Sequence, residues 1–227
     1  RNVFIGPSAG ANSCANCTVI IGSTIGDNTY SDRSVMIGSC IATYTTSTSS
    51  GFSNVFIGYY TAQDHTTGKY NVMFGHKAGR CFTTGCCNIV MGICTFGADH
   101  SDDATGNNNV ILGTKAGRTI TSASNNVLIG KEAGHCLTTG GHNVFIGTNA
   151  GKVNTTATGS IYMGRNAGAA NVDGDYSIII GQSAGNTGTA ICDNIIIGRE
   201  AGYAGSFANA KYNTIIGMQA GCDVTSG

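Results

Sequence analysis

The chain has 227 residues, no net charge at neutral pH and only 11% charged residues, so no basic stripe is available to neutralise phosphates and nucleic-acid binding is excluded. The longest apolar runs are four or five residues, far short of a membrane span. Thirty-five glycines beside a single proline, Pro7, exclude collagen, and regularly spaced apolar triplets argue against a disordered low-complexity tract.

Reading from the N-terminus, the same element recurs: three apolar residues followed by a glycine, first Val3-Phe4-Ile5-Gly6 and last Thr214-Ile215-Ile216-Gly217. The anchor glycines are Gly6, Gly22, Gly38, Gly58, Gly75, Gly92, Gly113, Gly130, Gly147, Gly164, Gly181, Gly198 and Gly217, most of them 17 residues apart. A fixed period in this range is the signature of a repeat protein whose units pack on their neighbours. The whole chain, 1–227, therefore reads as one β-solenoid domain of 13 coils.

Four residues before the anchor stands a small polar residue, usually Asn, as at Asn54, Asn71, Asn88, Asn109, Asn126 and Asn143. Three and four residues after it stands Ala-Gly, as at Ala116-Gly117 and Ala133-Gly134, followed by a looser stretch that is often Thr-Thr-Gly. Glycine inside every candidate helical turn, at about 1 kcal/mol each, rules out helices. Short β-branched runs between glycine-bearing turns predict an all-β fold with one strong strand per repeat, a corner at Ala-Gly and a weaker second strand. In-register stacking gives parallel sheets and a rod of roughly 60 Å at about 4.8 Å per coil. Asn on Asn in one column predicts a side-chain hydrogen-bond ladder.

Strand alternation divides the triplet between two faces. The residues one and three before the anchor, such as Val144 and Ile146, read as the core. The middle residue is then expected to face outward: Phe4, Ile20, Met36, Phe56, Met73, Val90, Ile111, Leu128, Phe145, Tyr162, Ile179, Ile196 and Ile215. An apolar line of this length exceeds what a monomer leaves in water, so it is predicted to be an interface with other copies. If the two faces are exchanged, one apolar set must still find a partner.

The string Asn-Val-Phe-Ile-Gly-x-x-Ala-Gly-x-x-x-Thr-Thr-Gly, clearest at Asn71 to Gly85 and Asn126 to Gly140, resembles the head repeats of trimeric autotransporter adhesins of the YadA type. It resembles still more the repeats of tail-fibre and surface-fibre proteins of phages and other large viruses. The resemblance spans essentially the whole chain and implies a left-handed parallel β-roll assembled as a homotrimer. The chain departs from it in a period longer than the adhesin head, in its ten cysteines and in irregular units around Gly22, Gly38, Gly58 and Gly92.

Ten cysteines favour an oxidising, extracellular or virion-surface setting. Cys14 with Cys17, and Cys81 with Cys86 or Cys87, are candidate local disulfides; Cys136, Cys192 and Cys222 have no evident partner within the chain. Asn16 and Asn154 begin Asn-x-Thr triplets and are candidate glycosylation sites. Three units carry insertions, near 43–53, 94–108 and 203–212. The second holds Asp99, His100, Asp102 and Asp103, whose spacing matches no metal motif, so no metal or cofactor is expected. A Gly6 following Gly227 and a further Arg1 would fall 16 residues after Gly217, in phase, which suggests head-to-tail stacking or a longer rod.

No Ser-His-Asp, paired-carboxylate or phosphate-loop arrangement stands out, and His65, His76, His100, His135 and His142 share no column, so no enzyme is expected. A left-handed β-helix acyltransferase would repeat every six residues. An ice-binding solenoid would present alternating threonines on a flat column, not adjacent pairs at turns. The expected function is a self-assembling structural shaft or adhesin stalk, with a surface glycan or receptor as a candidate partner.

Overall fold

The computed structural model describes residues 1–11, 16–25, 32–43, 51–98, 103–203 and 211–221. Its strands are β1 (Val3–Ile5), β2 (Val19–Ile25), β3 (Val35–Ile41), β4 (Val55–Tyr59), β5 (Val72–Phe74), β6 (Ile89–Met91), β7 (Val110–Leu112), β8 (Val127–Ile129), β9 (Val144–Ile146), β10 (Ile161–Met163), β11 (Ile178–Ile180), β12 (Ile195–Ile197) and β13 (Thr214–Ile216). They form one parallel sheet in strict chain order. Register is fixed by the repeat: Val110 pairs Val127, Ile111 pairs Leu128 and Leu112 pairs Ile129. The predicted parallel β-solenoid is thus the observed fold.

The expected second strand is not formed among the described residues. The return path is turns and extended backbone, tied coil to coil by bonds such as Thr121 N–H to Thr138 O and Thr138 N–H to Thr155 O. Among the described residues, isolated bridges join Ala9 with Ile25 and Phe82 with Ala104. Glycine and adjacent threonines give this side too little side chain for a packed pleat.

The faces of the triplet are the reverse of the sequence expectation. From Ile20 to Ile196 every middle residue is fully buried, and these side chains form the core. The corner dictates this. In most coils the residue four after the anchor is a glycine with φ near +55°, and its bare Cα lies against the middle side chain: Gly134 against Leu128, Gly151 against Phe145 and Gly168 against Tyr162. The chain therefore bends toward the middle residue and encloses it.

The far side of the core is filled by complementary volumes. Seven and ten residues after the anchor, a large residue is paired with a small one: Phe82 with Gly85 and Leu137 with Gly140. In the coil of Gly181 the order is exchanged to Gly188 and Ile191. Near-crystalline packing requires this balance, because one unfilled methylene is felt.

The anchor glycines have φ between +120° and +146°. A Cβ built on Gly130 would stand 2.6 Å from the Gly147 carbonyl of the next coil, and the same clash recurs along the sheet. Conformation and space both demand glycine there.

Candidate association face

Two side-chain columns are left on the outside of the sheet, one and three residues before each anchor. Every position in them is Val, Ile, Leu, Met or Phe except Thr214. All are half-buried or exposed; Ile89 is 45% exposed and Met91 47%. No charged residue interrupts the strip. At about 4.8 Å per strand it runs for roughly 60 Å, and at a width near 10 Å it offers about 600 Å² of flat apolar surface. That matches or exceeds the largest apolar patch of an ordinary monomer.

The strip is held rigid from behind. Asn71 Nδ2 donates to Asn54 Oδ1 at 3.1 Å and to Gly85 O at 3.0 Å, and the Asn71 Oδ1 accepts from Asn88 N and Nδ2. The same pattern passes through Asn109 and Asn126 to Asn143. Ser160 and Ser177 continue it with hydroxyls that donate to Gly174 O and Ile191 O, and Asn194 and Asn213 resume it. These side chains are buried from Asn54 to Asn194, so each amide must be satisfied, and each coil is locked in register to the next.

Each strand lies between two rims. The leading rim is five residues before the anchor and the trailing rim two after it. Both adopt positive φ without glycine in nearly every coil, as at Asn125 (61°) and Glu132 (57°). Polar residues and tyrosines occupy the rims, among them Tyr70, Tyr176 and Tyr212, all exposed. Glu132 is held below the ordinary carboxylate range by the Lys152 ammonium, 2.8 Å away.

The sequence-derived interface residues are placed differently by this geometry. Phe56, Met73, Val90, Ile111, Leu128, Phe145, Tyr162, Ile179 and Ile196, with Ile20 and Met36, are interior and offer no surface to a partner. Only Phe4 and Ile215, in the first and last strands, keep exposure. The outward face of the strand belongs instead to the residues one and three before each anchor. The signal for the correct face lay in the Asn column: four and two residues before the anchor share one side of a strand, and a ladder of stacked amides belongs inside.

Asn154 is also reassigned. Its side chain is buried in the core and its Oδ1 accepts from Ala157 N at 3.0 Å, so it is closed to glycosylation. Asn16 is exposed. Cys81, Cys86 and Cys87 are free thiols. Cys81 faces Asp64, and burial with that carboxylate pushes its thiol up to about 11, whereas Cys86 Sγ lies 3.8 Å from Thr84 O. Cys17 is likewise free, while Cys14 lies outside the described residues, as do Cys222, Asp99, His100 and Asp102. Among the described residues no three His, Cys, Asp or Glu side chains group to hold a metal, and no helix is long and apolar enough to cross a membrane.

His65 is a polar member of the core, seven residues after its anchor in the column of Phe82 and Leu137. It is fully buried between Phe56 and Phe82, with ring centroids 5.0 and 5.7 Å away, and its Nε2 is 2.9 Å from Gly68 O. Burial lowers its pKa to about 4, keeping it neutral. Comparison of the chain with known families, characterised proteins and solved structures gives no match.

Proposed function

We propose that the protein is a structural shaft element of an extracellular or virion-surface fibre, and that copies assemble side by side through the outward apolar strip, as a homotrimer in the favoured arrangement. The carrying observation is the strip itself: two columns, apolar at every position but Thr214, on a face that the described residues leave uncovered. Two copies joined along it remove about 1,200 Å² from water, the lower end of specific stable interfaces. At about 25 cal/mol per Å² of apolar area, burial on this scale supplies a strong association drive before the entropic cost of joining. The fibre role also rests on the repeat, which makes length and stiffness the molecule's main physical properties.

The threonines of the return path do not favour an ice-binding surface. Thr66, Thr121 and Thr138 hydroxyls donate to carbonyls of the next coil and are not presented to water as an open array.

Electron microscopy of the purified chain tests the reading. Straight rods thicker than one coil stack are expected. Single thin rods at all concentrations, or compact particles, would contradict it.

A further inference from the structure

Cys87 and Cys94 belong to one coil, that of Gly92, and stand on its opposite rims: Cys87 on the leading rim with φ 61° and Cys94 on the trailing rim with φ 52°. Both are free; Cys87 is exposed and Cys94 half-buried. They cannot join within one chain. Strand β6 lies between them, and seven residues at about 3.3 Å each separate them by on the order of 20 Å. A disulfide requires Cα atoms within about 7 Å. Adjacent coils offer no alternative in the same columns, where Cys87 is flanked by Tyr70 and Asn108, and Cys94 by Lys77 and Lys115.

Association through the apolar strip, on which this inference rests, leaves two orientations. If copies run parallel and in register, rotation about an axis along the rod brings the leading rim of one copy to the trailing rim of the next in the same coil. Cys87 then meets Cys94. Of the other rim pairs, Tyr70 meets Lys77, a cation–π contact, whereas Asp193 meets Glu200, a like-charge pair that the register must tolerate at its exposed edge. If fully overlapped copies run antiparallel, like rims meet. Cys87 then faces Asn125, and Lys115 faces its own equivalent, a repulsive contact.

We infer that neighbouring copies run parallel and in register and that, under oxidising conditions, they are stapled by disulfides from Cys87 of one copy to Cys94 of the next. With glutathione disulfide as oxidant, one thiolate attacks the reagent and releases a first glutathione. The second thiolate attacks the resulting mixed disulfide and releases the other. Each bond formed oxidises two cysteines and reduces one glutathione disulfide to two glutathiones. In a closed ring every copy gives one Cys87 and one Cys94, so a ring of n copies carries n staples.

The test uses the full chain, purified reduced and then equilibrated with glutathione disulfide, with one of two mixed populations isotope-labelled. Native mass in solution is measured beside non-reducing electrophoresis and peptide mapping. The expected result is a covalent multimer with Cys87 of one population linked to Cys94 of the other. It should be lost in C87S and in C94S, while a mixture of these two variants regains a covalent dimer. A multimer in solution without the Cys87–Cys94 link overturns the parallel register but leaves strip-driven association standing. A monomer throughout overturns both. Serine at these surface positions preserves the fold, which circular dichroism of each variant verifies.

Discussion

The coils of β2–β4 and those of β7–β12 solve the same corner differently. In β7–β12 the strand stops at three residues and Ala-Gly makes the bend, with glycine at φ near +55°. In β2 and β3 the strand runs on for seven residues, through the anchor glycine, to the buried Ile25 and Ile41. Where glycine is missing after β3 and β4, Ala42 and Ala62 take its conformation at φ 48° and 46°. The anchor glycine is kept in both regions. The corner is therefore negotiable and the anchor is not, because of these two positions it is the anchor that faces the next coil's carbonyl at less than contact distance.

Substitutions sharpen that comparison. The largest effect is expected for Gly130→Ala, which meets both φ +131° and a carbonyl at 2.6 Å, and should cost more than about 3 kcal/mol in denaturant unfolding. A cost below about 1 kcal/mol would show that coil spacing can yield. Asn126→Ala should come next, at about 2–4 kcal/mol, since it leaves the Asn109 Oδ1, Asn143 N–H and Gly140 O groups short of a partner in the core. Asn126→Ser should cost much less, because Ser160 and Ser177 already serve in that column. Equal losses for both variants would deny the ladder its role.

Acid should separate the two regions. His65 is titrated at about 4 in the fold, below its ordinary value of 6.5. The neutral ring is favoured in the core, so its contribution is complete above about pH 6.5 and is lost as pH falls toward 4, up to about 3 kcal/mol. Hydrogen exchange of β4 and β5 should accelerate over that window while β8–β11 hold, and His65→Phe should remove the difference. Uniform acceleration along the rod would contradict this. The smallest effect is reserved for Ala62→Gly, expected to stabilise by about 0.5 kcal/mol as left-handed strain is relieved against a modest entropy loss; thermal unfolding reads the sign.

Much of this was legible in the sequence, for reasons tied to period. The 17-residue spacing set strand number, parallel order and register, down to Ile111 beside Leu128. The Asn ladder followed from identical residues in one column. The inside of the triplet did not follow, because both apolar sets satisfy the same alternation. The Asn column on the side of the middle residue carried the signal, and the positive φ of Gly134 and its equivalents encloses that side. The rims were hidden for a related reason: Lys115, Glu132 and Asn149 adopt φ near +58° without glycine, against local preference and under the constraint of stacked neighbours. Cys87 and Cys94 looked unrelated until the strand between them was seen to separate two rims.

The central claim is that the outward strip drives self-association, and mass in solution tests it most directly. Sedimentation equilibrium of the reduced wild-type chain should give a whole-number multimer, and Ile129→Lys with Ile146→Lys, two charges on the strip, should give a monomer with unchanged circular dichroism. A wild-type chain that stays monomeric across the concentration range, or a doubly charged variant that still assembles, would contradict it.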